Sequence, residues 1–367
     1  MKIHLSRPLY ETKPNLPNFY ALSNKIREVY QTAWLTNNGA QVQQLEKKLE
    51  EFLDIDNVTV FCNGTLALQI ALQALELEGE VITTPFTFPA TTMALTYNNL
   101  TPVFCDIEPE HFNIDPDKIE ELITPKTSAI LPVHIFGNPC DVEKIEQIAK
   151  KHNLKVIYDA AHSFGVRAYG RSISSYGDVN MYSFHATKKF HTLEGGALAY
   201  NDPLLRKKFM MIKNFGYDGY NNILSLGTNA KMNEIEALFG LLLLPDVKKD
   251  IEERKKLFGI YRDNLRGLKD VRFLTDMDGV KHNYLYFIIT SKYREKIQEA
   301  LEGYDVHSRR RFYPLCSDVL DYKDLPSARN LPVAKQASEE TLSLPLFKGL
   351  TSGEVISICE IIKDAVD

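Results

Sequence analysis

The 367-residue chain has no pair of cysteines close enough to suggest a zinc or redox motif. Its five cysteines, at 62, 105, 140, 316 and 359, are scattered, and none is spaced C-x-x-C. The expectation is reduced thiols, no metal site and a cytoplasmic setting. No apolar run is long enough to cross a bilayer. The opening MKIHLSRPLYETKPNLP lacks the apolar core of a secretory signal. There is no internal repeat and no low-complexity tract. An excess of basic residues is missing too. The formal charge is −5, which argues against nucleic acid or an anionic membrane as the main partner. A local basic spot, SRRRF at Ser308–Phe312, is the exception. What remains is ordinary globular composition in a chain long enough for one large domain and one smaller one.

From residue 58 onward, short β-branched runs alternate with helical patterns. NVTVFC, EVITTPF, PVFCDI, SAILPVH, KVIYDA, VNMYSF and GALAY read as strands. GTLALQIALQALEL reads as a buried helix and DVEKIEQIAKKHN as an amphipathic one. This alternation predicts a mostly parallel sheet covered on both faces, an α/β fold. Past about residue 240 the pattern changes to a long charged helix, KKDIEERKKLFGIYRDNLRGL, then VRFL, HNYLYFIIT and a final helix near SGEVISICEIIKDAVD. The expected division is a large domain over 20–240 and a small α+β domain over 241–367, with 1–19 packed beside the latter.

In parallel sheets, ligands bind beyond the carboxyl ends of the strands, and three such ends carry chemistry. After NVTVFC comes Asn63-Gly64-Thr65, at the start of a helix. It reads first as a plain N-cap and turn, with an anion cradle of unpaired backbone N–H groups as the alternative. KVIYD ends on Asp159, with His162 three residues on. A carboxylate there caps the next helix, or meets a protonated ring nitrogen, a metal or an arginine. The third is YSFHATKKFHTLEGG, Tyr182–Gly196, with two histidines and a doubled lysine between strand-like runs. A lysine in that place is a solvated loop residue, or an amine that forms a Schiff base once its proton is lost. Together the three ends offer an anion cradle, a carboxylate for a pyridinium and an amine for an aldehyde. Those are the handles of pyridoxal 5'-phosphate.

On SFHATK…EGG, YDAAH, and a likeness running from WLTNNG at Trp34 to SLPLFKGLT at Ser343, the chain resembles the DegT/DnrJ/StrS nucleotide-sugar aminotransferases. These are fold-type I, aspartate aminotransferase-like enzymes. The likeness is nearest to members acting on dTDP-linked keto-6-deoxy-hexoses. It implies that Lys188 is the Schiff-base lysine and Lys189 points elsewhere. It implies Asp159 as the pyridinium partner and His162 as the residue near the cofactor hydroxyl. Ser183, with the Gly64 and Thr65 backbone, would hold the phosphate. Phe88 in TPFTFPAT would stack on the ring, and Asn229 in TNAKMNE would reach the cofactor of a neighbouring subunit. Arg310, Arg311 and Tyr313 in RRRFYPL stand as substrate-contact candidates, with a solvated basic turn as the alternative. The implied reaction moves an amino group from glutamate to the C4 or C3 ketone of a dTDP-sugar in a cytoplasmic homodimer, for surface polysaccharide synthesis.

The chain departs from the family where many members read Ser-Gly-Thr, here Asn63-Gly64-Thr65. It departs again where many read Asn-Tyr-Arg-Met, here Asn229-Ala230-Lys231-Met232. A PLP-dependent sugar dehydratase on the same fold replaces the Schiff-base lysine by histidine, and the lysine at 188 speaks against it. A cysteine desulfurase needs a reactive thiol, and neither Cys140 nor Cys316 has flanking residues that would activate one. A regulator that merely binds the cofactor or a nucleotide sugar would have no use for a complete catalytic set.

Overall fold

The computed structural model describes residues 5–319 and 321–366. The chain enters as a short strand β1 (Leu9–Tyr10) and helices α1 (Phe19–Thr32) and α2 (Ala40–Leu53). The central sheet then forms from β2 (Val58–Phe61), β3 (Glu80–Thr83), β4 (Thr101–Phe104), β5 (Thr127–Leu131) and β6 (Lys155–Asp159). A small hairpin, β7 (Arg167–Ala168) and β8 (Arg171–Ser172), precedes its last two strands, β9 (Val179–Ser183) and β10 (Gly196–Tyr200). The seven central strands lie in the order β2-β10-β9-β6-β5-β3-β4. Strand β10 is antiparallel to both its neighbours, and every other pairing is parallel. The mostly parallel α/β sheet expected from the strand–helix alternation is therefore present.

Helix propensity alone does not make these helices; their apolar faces do. Helix α3 (Gly64–Ala74) buries Ala67, Leu68, Ile70, Ala71 and Leu72 against one sheet face. Helix α4 (Pro89–Tyr97) starts on a proline, whose fixed φ suits a first turn. Helix α5 (Val142–His152) buries Val142, Ile145, Ile148 and Ala149. Its N-terminus is capped by Asp141, which accepts from the Lys144 N–H at 3.0 Å. Helix α2 has no side-chain cap of its own, because its N-cap is Gly39. The Glu234 carboxylate, 193 residues further on, accepts from the Gln41 N–H at 2.8 Å instead. A Cβ on Gly39 would lie 2.6 Å from that carboxylate, so the glycine admits the remote cap.

After α6 (Leu204–Ile212) and a hairpin of β11 (Tyr217–Asp218) and β12 (Asn222–Ile223), helices α7 (Glu234–Leu243) and α8 (Val247–Leu265) lead out of the sheet region. Leu243, Leu244 and Val247 pack with the sheet core, whereas Leu257, Phe258 and Tyr261 belong to a second core. The long charged helix thus spans two cores. The second core is roofed by β13 (Arg272–Phe273), β15 (Phe287–Thr290), β17 (Arg309–Arg310) and β18 (Thr341–Leu344), with β14 (Val280–Lys281) pairing back to β7 and β16 (Val306–His307) pairing to β1. Helices α9 (Arg294–Glu302) and α11 (Ser352–Val366) complete it, whereas α10 (Pro332–Glu340) packs Ala334 and Ala337 with Phe86 and Phe312. Leu9 on β1 is buried in this second core. A third cluster, including Phe86, Phe136, Tyr286 and Phe312, joins the two. The active-site candidates lie along this seam.

Candidate active site

Because β10 runs against β2 and β9, its first residue lies at the same sheet edge as their last ones. Gly196 is paired with both Phe61 and Ser183. This brings the two ends of the SFHATKKFHTLEGG segment beside the Asn63-Gly64 turn. A Cβ on Gly196 would come within 2.6 Å of the Asn63 carbonyl carbon and the Gly64 nitrogen. The backbone of a tight turn cannot yield cheaply, so the glycine is needed for close approach. Gly196→Ala should push Asn63–Gly64 outward, cost about 1–3 kcal/mol as overpacking does, and make the protein lose its cofactor on gel filtration. Unchanged retention would show that the turn tolerates displacement.

Asn63 begins α3 with an extended backbone, and its side chain accepts from the Leu66 N–H at 2.8 Å. That satisfies one donor at the helix end. The Gly64 and Thr65 N–H groups have no intrahelical acceptor, and both residues line the same cavity as Ser183. Asn63 therefore caps the helix, and the two residues after it leave backbone N–H groups that can receive an anion. The positive end of the helix adds up to about 2 kcal/mol for a charge held there in a partly buried site.

Asp159, at the end of β6, is 5% exposed. The Thr91 hydroxyl donates to it at 2.8 Å and the Ala161 N–H at 3.0 Å. Burial raises its pKa, and these two hydrogen bonds together with the nearby Lys188 charge only partly oppose that. No cation is hydrogen-bonded to it among the described residues. A buried carboxylate left so is costly unless a cation is brought to it, which is what a protonated pyridine nitrogen would supply. His162 is buried beside Phe136 and Phe312, with ring centroids 6.3 and 6.1 Å away and nearly parallel planes. Its Nδ1 accepts from the Phe136 N–H at 3.2 Å, which puts the ring proton on Nε2. Burial, aided by the Lys188 and Arg311 charges, pushes its pKa well down. His162 is thus a neutral ring with one fixed donor.

Lys188 is half-buried in the turn after β9, and its N–H donates to the His185 carbonyl at 2.9 Å. Lys189 goes the other way. It is 2% exposed and pairs with Asp250 of α8 at 3.0 Å. Arg254, one turn along the helix, also holds Asp250 at 3.0 Å and donates to the Leu346 carbonyl at 2.6 Å. Burial pushes the Asp250 carboxyl up, but the Arg254 and Lys189 charges outweigh it and leave the group below its ordinary range. The doubled lysine is therefore one cavity residue beside one buried ion-pair residue, not a solvated pair.

The cavity measures about 360 Å³, within the range that holds small ligands. Gly64, Thr65, Phe88, Asp159, His162, Ser183 and Lys188 all line it. So does Arg311, while Arg310 and Tyr313 do not. Alternation along β17 is the reason. Arg309 and Arg311 project to one side and Arg310 to the other, where it donates to the Ser338 carbonyl at 2.8 Å and lies over the Tyr313 ring at 3.3 Å. Asn229 is not in the cavity wall either. It bridges to Asn214, and its side chain accepts from Lys231 at 2.7 Å. Wall residues that carried no sequence signal include Glu11 and Tyr286. They are separated from the motifs by long stretches of chain, and only folding brings them there.

A lysine, a buried carboxylate without a cation and a helix-end anion cradle, converging at the carboxyl edge of a mostly parallel sheet, define a pyridoxal-phosphate-dependent transferase of the fold-type I class. The sequence profile of the DegT/DnrJ/EryC1/StrS aminotransferases matches residues 21–363, and the chain belongs to that family. It is 40% identical over 353 residues to the dTDP-4-amino-4,6-dideoxy-D-glucose transaminase of Shigella dysenteriae, covering 95% of this chain and 96% of that one. Identity to the Escherichia coli protein of the same name is also 40%, over 361 residues, covering 96% and 97% of the two chains. Among solved structures, DesI crystallised in the presence of its TDP-sugar product superposes with a TM-score of 0.94 at 32% identity, over 99% of this chain and 94% of that chain. The chain is an aminotransferase. No helix among the described residues is long and apolar enough to cross a membrane, and the five cysteines are free.

Proposed function

We propose that the chain transfers the amino group of glutamate to the C4 ketone of a dTDP-linked 4-keto-6-deoxy-hexose, yielding a dTDP-4-amino-4,6-dideoxy sugar for surface polysaccharide. The observation that carries the reading is the meeting of Lys188, Asp159 and the Gly64–Thr65 helix end in one cavity. The names of the two 40%-identical relatives support C4 rather than C3. Bound pyridoxal phosphate supplies the electron sink that lets a C–H bond beside nitrogen break.

The protein's own residues do the rest. Gly64, Thr65 and Ser183 would hold the phosphate throughout, so their contribution would be anchoring and not rate. Asp159 would keep the ring nitrogen protonated, and Phe88 would cover one face of the ring. His162, with its proton on Nε2, would donate to the ring's oxygen substituent. Lys188 Nζ takes the proton from the amine-bearing carbon of the donor. In the return half it gives a proton to the carbon that was the sugar ketone. Adding glutamate alone to the holoenzyme should bleach the visible absorbance of the bound cofactor, and adding the keto-sugar should restore it. A spectrum indifferent to glutamate, with sulfide released from cysteine, would favour the desulfurase alternative instead.

The working unit in this reading is a homodimer with shared sites. Exposed apolar side chains support a partner surface: Trp34 is 58% exposed, Tyr97 75% and Leu226 87%. Asn229 lies outside its own cavity and is assigned to the partner's. A chain carrying Lys188→Ala and a chain carrying a bulky replacement of Asn229 should each be inactive alone. Refolded together, half the dimers are mixed and each has one intact site, so activity should recover to about a quarter of wild type. A dead mixture with active refolded controls would rule out shared sites.

A further inference from the structure

His162 is gripped from a part of the chain that reaches it only by folding. Asn283 lies in the segment leading into β15 and is fully buried. Its Nδ2 donates to the His162 carbonyl at 2.8 Å and to the Phe164 carbonyl at 3.1 Å. Its Oδ1 accepts from the Leu285 N–H at 3.2 Å. A flipped amide would set its oxygen against two carbonyls, so this orientation is fixed. The same segment brings Tyr286, three residues on, edge-on to the His162 ring at 5.2 Å. Tyr286 is held in turn by the Arg311 guanidinium, 4.7 Å from its ring centre, and Arg311 pairs with Glu11 at 2.6 Å.

The turn after β5 closes on the same point. Phe136 is buried with φ +56°, a left-handed backbone that strains a bulky residue. Its N–H is the donor to His162 Nδ1, at 3.2 Å. Gly137 follows at φ +93°, and a Cβ there would lie 2.8 Å from Asn283 Oδ1 and 3.1 Å from the His162 carbonyl oxygen. The glycine lets the turn, Asn283 and the His162 main chain meet. His162 is thus held at its carbonyl by Asn283, at Nδ1 by Phe136 and at its ring by Tyr286. It lines the cavity, and Nε2, which carries the proton, is the ring nitrogen not already taken.

A buried asparagine that satisfies two carbonyls is, taken alone, a packing device. Here its segment grips both the main chain and the ring of one residue, and that residue has a single donor left to offer. The strength of a hydrogen bond falls steeply with misalignment, so whatever sets the ring's direction sets what that donor is worth. We propose that Asn283 is a positioning residue of the transfer reaction: it fixes the direction in which the His162 ring donates to the cofactor's oxygen substituent. The proposal rests on the reading of His162 as that donor.

The test titrates the visible absorbance of the bound cofactor against pH in the holoenzyme. A donor to the ring oxygen favours its deprotonated form, so weakening the donor raises the midpoint. Burial and the Lys188 and Arg311 charges keep His162 itself neutral, so the midpoint reports the cofactor. His162→Phe should raise it by roughly 1 pH unit. Asn283→Ala should raise it by at least about half as much, and Asn283→Ala/His162→Phe no further than His162→Phe alone. Asn283→Ala should melt lower whatever its role, because two buried carbonyls lose a partner, so melts serve only to show that the variant is folded. If it does not fold, Asn283→Ser, which leaves room for a water between the carbonyls, should shift the midpoint upward by less. A folded Asn283 variant that titrates like wild type, or shifts that add in the double variant, would make Asn283 a packing residue only and overturn the proposal. If His162→Phe itself leaves the midpoint unmoved, the reading of His162 as donor has failed, and this one with it.

Discussion

Lys188→Ala should fold and melt like wild type while losing turnover by at least about 10⁴-fold, because one amine serves both as the cofactor's attachment and as the proton carrier. Lys189→Ala should show the reverse pattern. Lys189 is buried, and its removal leaves Asp250 with half its cationic partners. Breaking a buried pair costs about 3 kcal/mol, which is a large share of a protein's net stability. Chemistry in the surviving folded fraction should be close to normal. Thermal melts of the two variants, together with borohydride fixation and peptide mass mapping, separate the roles. Fixation of the cofactor on Lys189 would reverse the assignment.

Asp159→Asn keeps the shape and removes the charge. At about 4 Å and an effective dielectric near 20, a carboxylate and a pyridinium attract by on the order of 4 kcal/mol before desolvation is subtracted. The glutamate half-reaction should therefore slow by roughly 10²–10³-fold, while cofactor affinity, set mainly by the phosphate cradle, falls far less. Without cofactor the same substitution should stabilise the protein, since it removes a buried carboxylate that no cation meets. The pH dependence follows from the raised pKa. In the apoprotein the unfolded chain ionises this group first, so Asp159 lowers stability as pH rises through its unfolded pKa. The loss levels off once the folded pKa is passed. The apo form of Asp159→Asn should lack that fall. Equal half-reaction rates in variant and wild type would remove Asp159 from the electron-sink role.

Which parts of this were legible follows from where the information lies along the chain. The sheet strands read correctly because each is a short β-branched run bounded by turn residues. Asp159, Ser183, Lys188 and Gly64 are adjacent to such runs, and strand ends are where parallel sheets put ligands. Helix α2 was not legible by its start signal, since Gly39 offers no cap and Glu234 provides it from 193 residues away. Helix α4, PATTMALTY, contains three threonines and a proline, a composition that reads equally well as a strand edge. That Lys189 points away from Lys188 was given by the resemblance, but its partner Asp250 was not legible, being 61 residues distant. Glu11 and Arg311 are 300 residues apart, and nothing local marks either. The triple arginine was visible, but not its phase: strand alternation sends Arg311 into the cavity and Arg310 out of it.

The most direct test of the account is one incubation of the purified holoenzyme with ¹⁵N-labelled glutamate and dTDP-4-keto-6-deoxy-glucose, followed by NMR of the sugar product. The account predicts the label on C4 of the hexose, 2-oxoglutarate in equal amount, and neither product with Lys188→Ala. Label at another carbon, or a sugar that has lost a hydroxyl and gained no nitrogen, would contradict it.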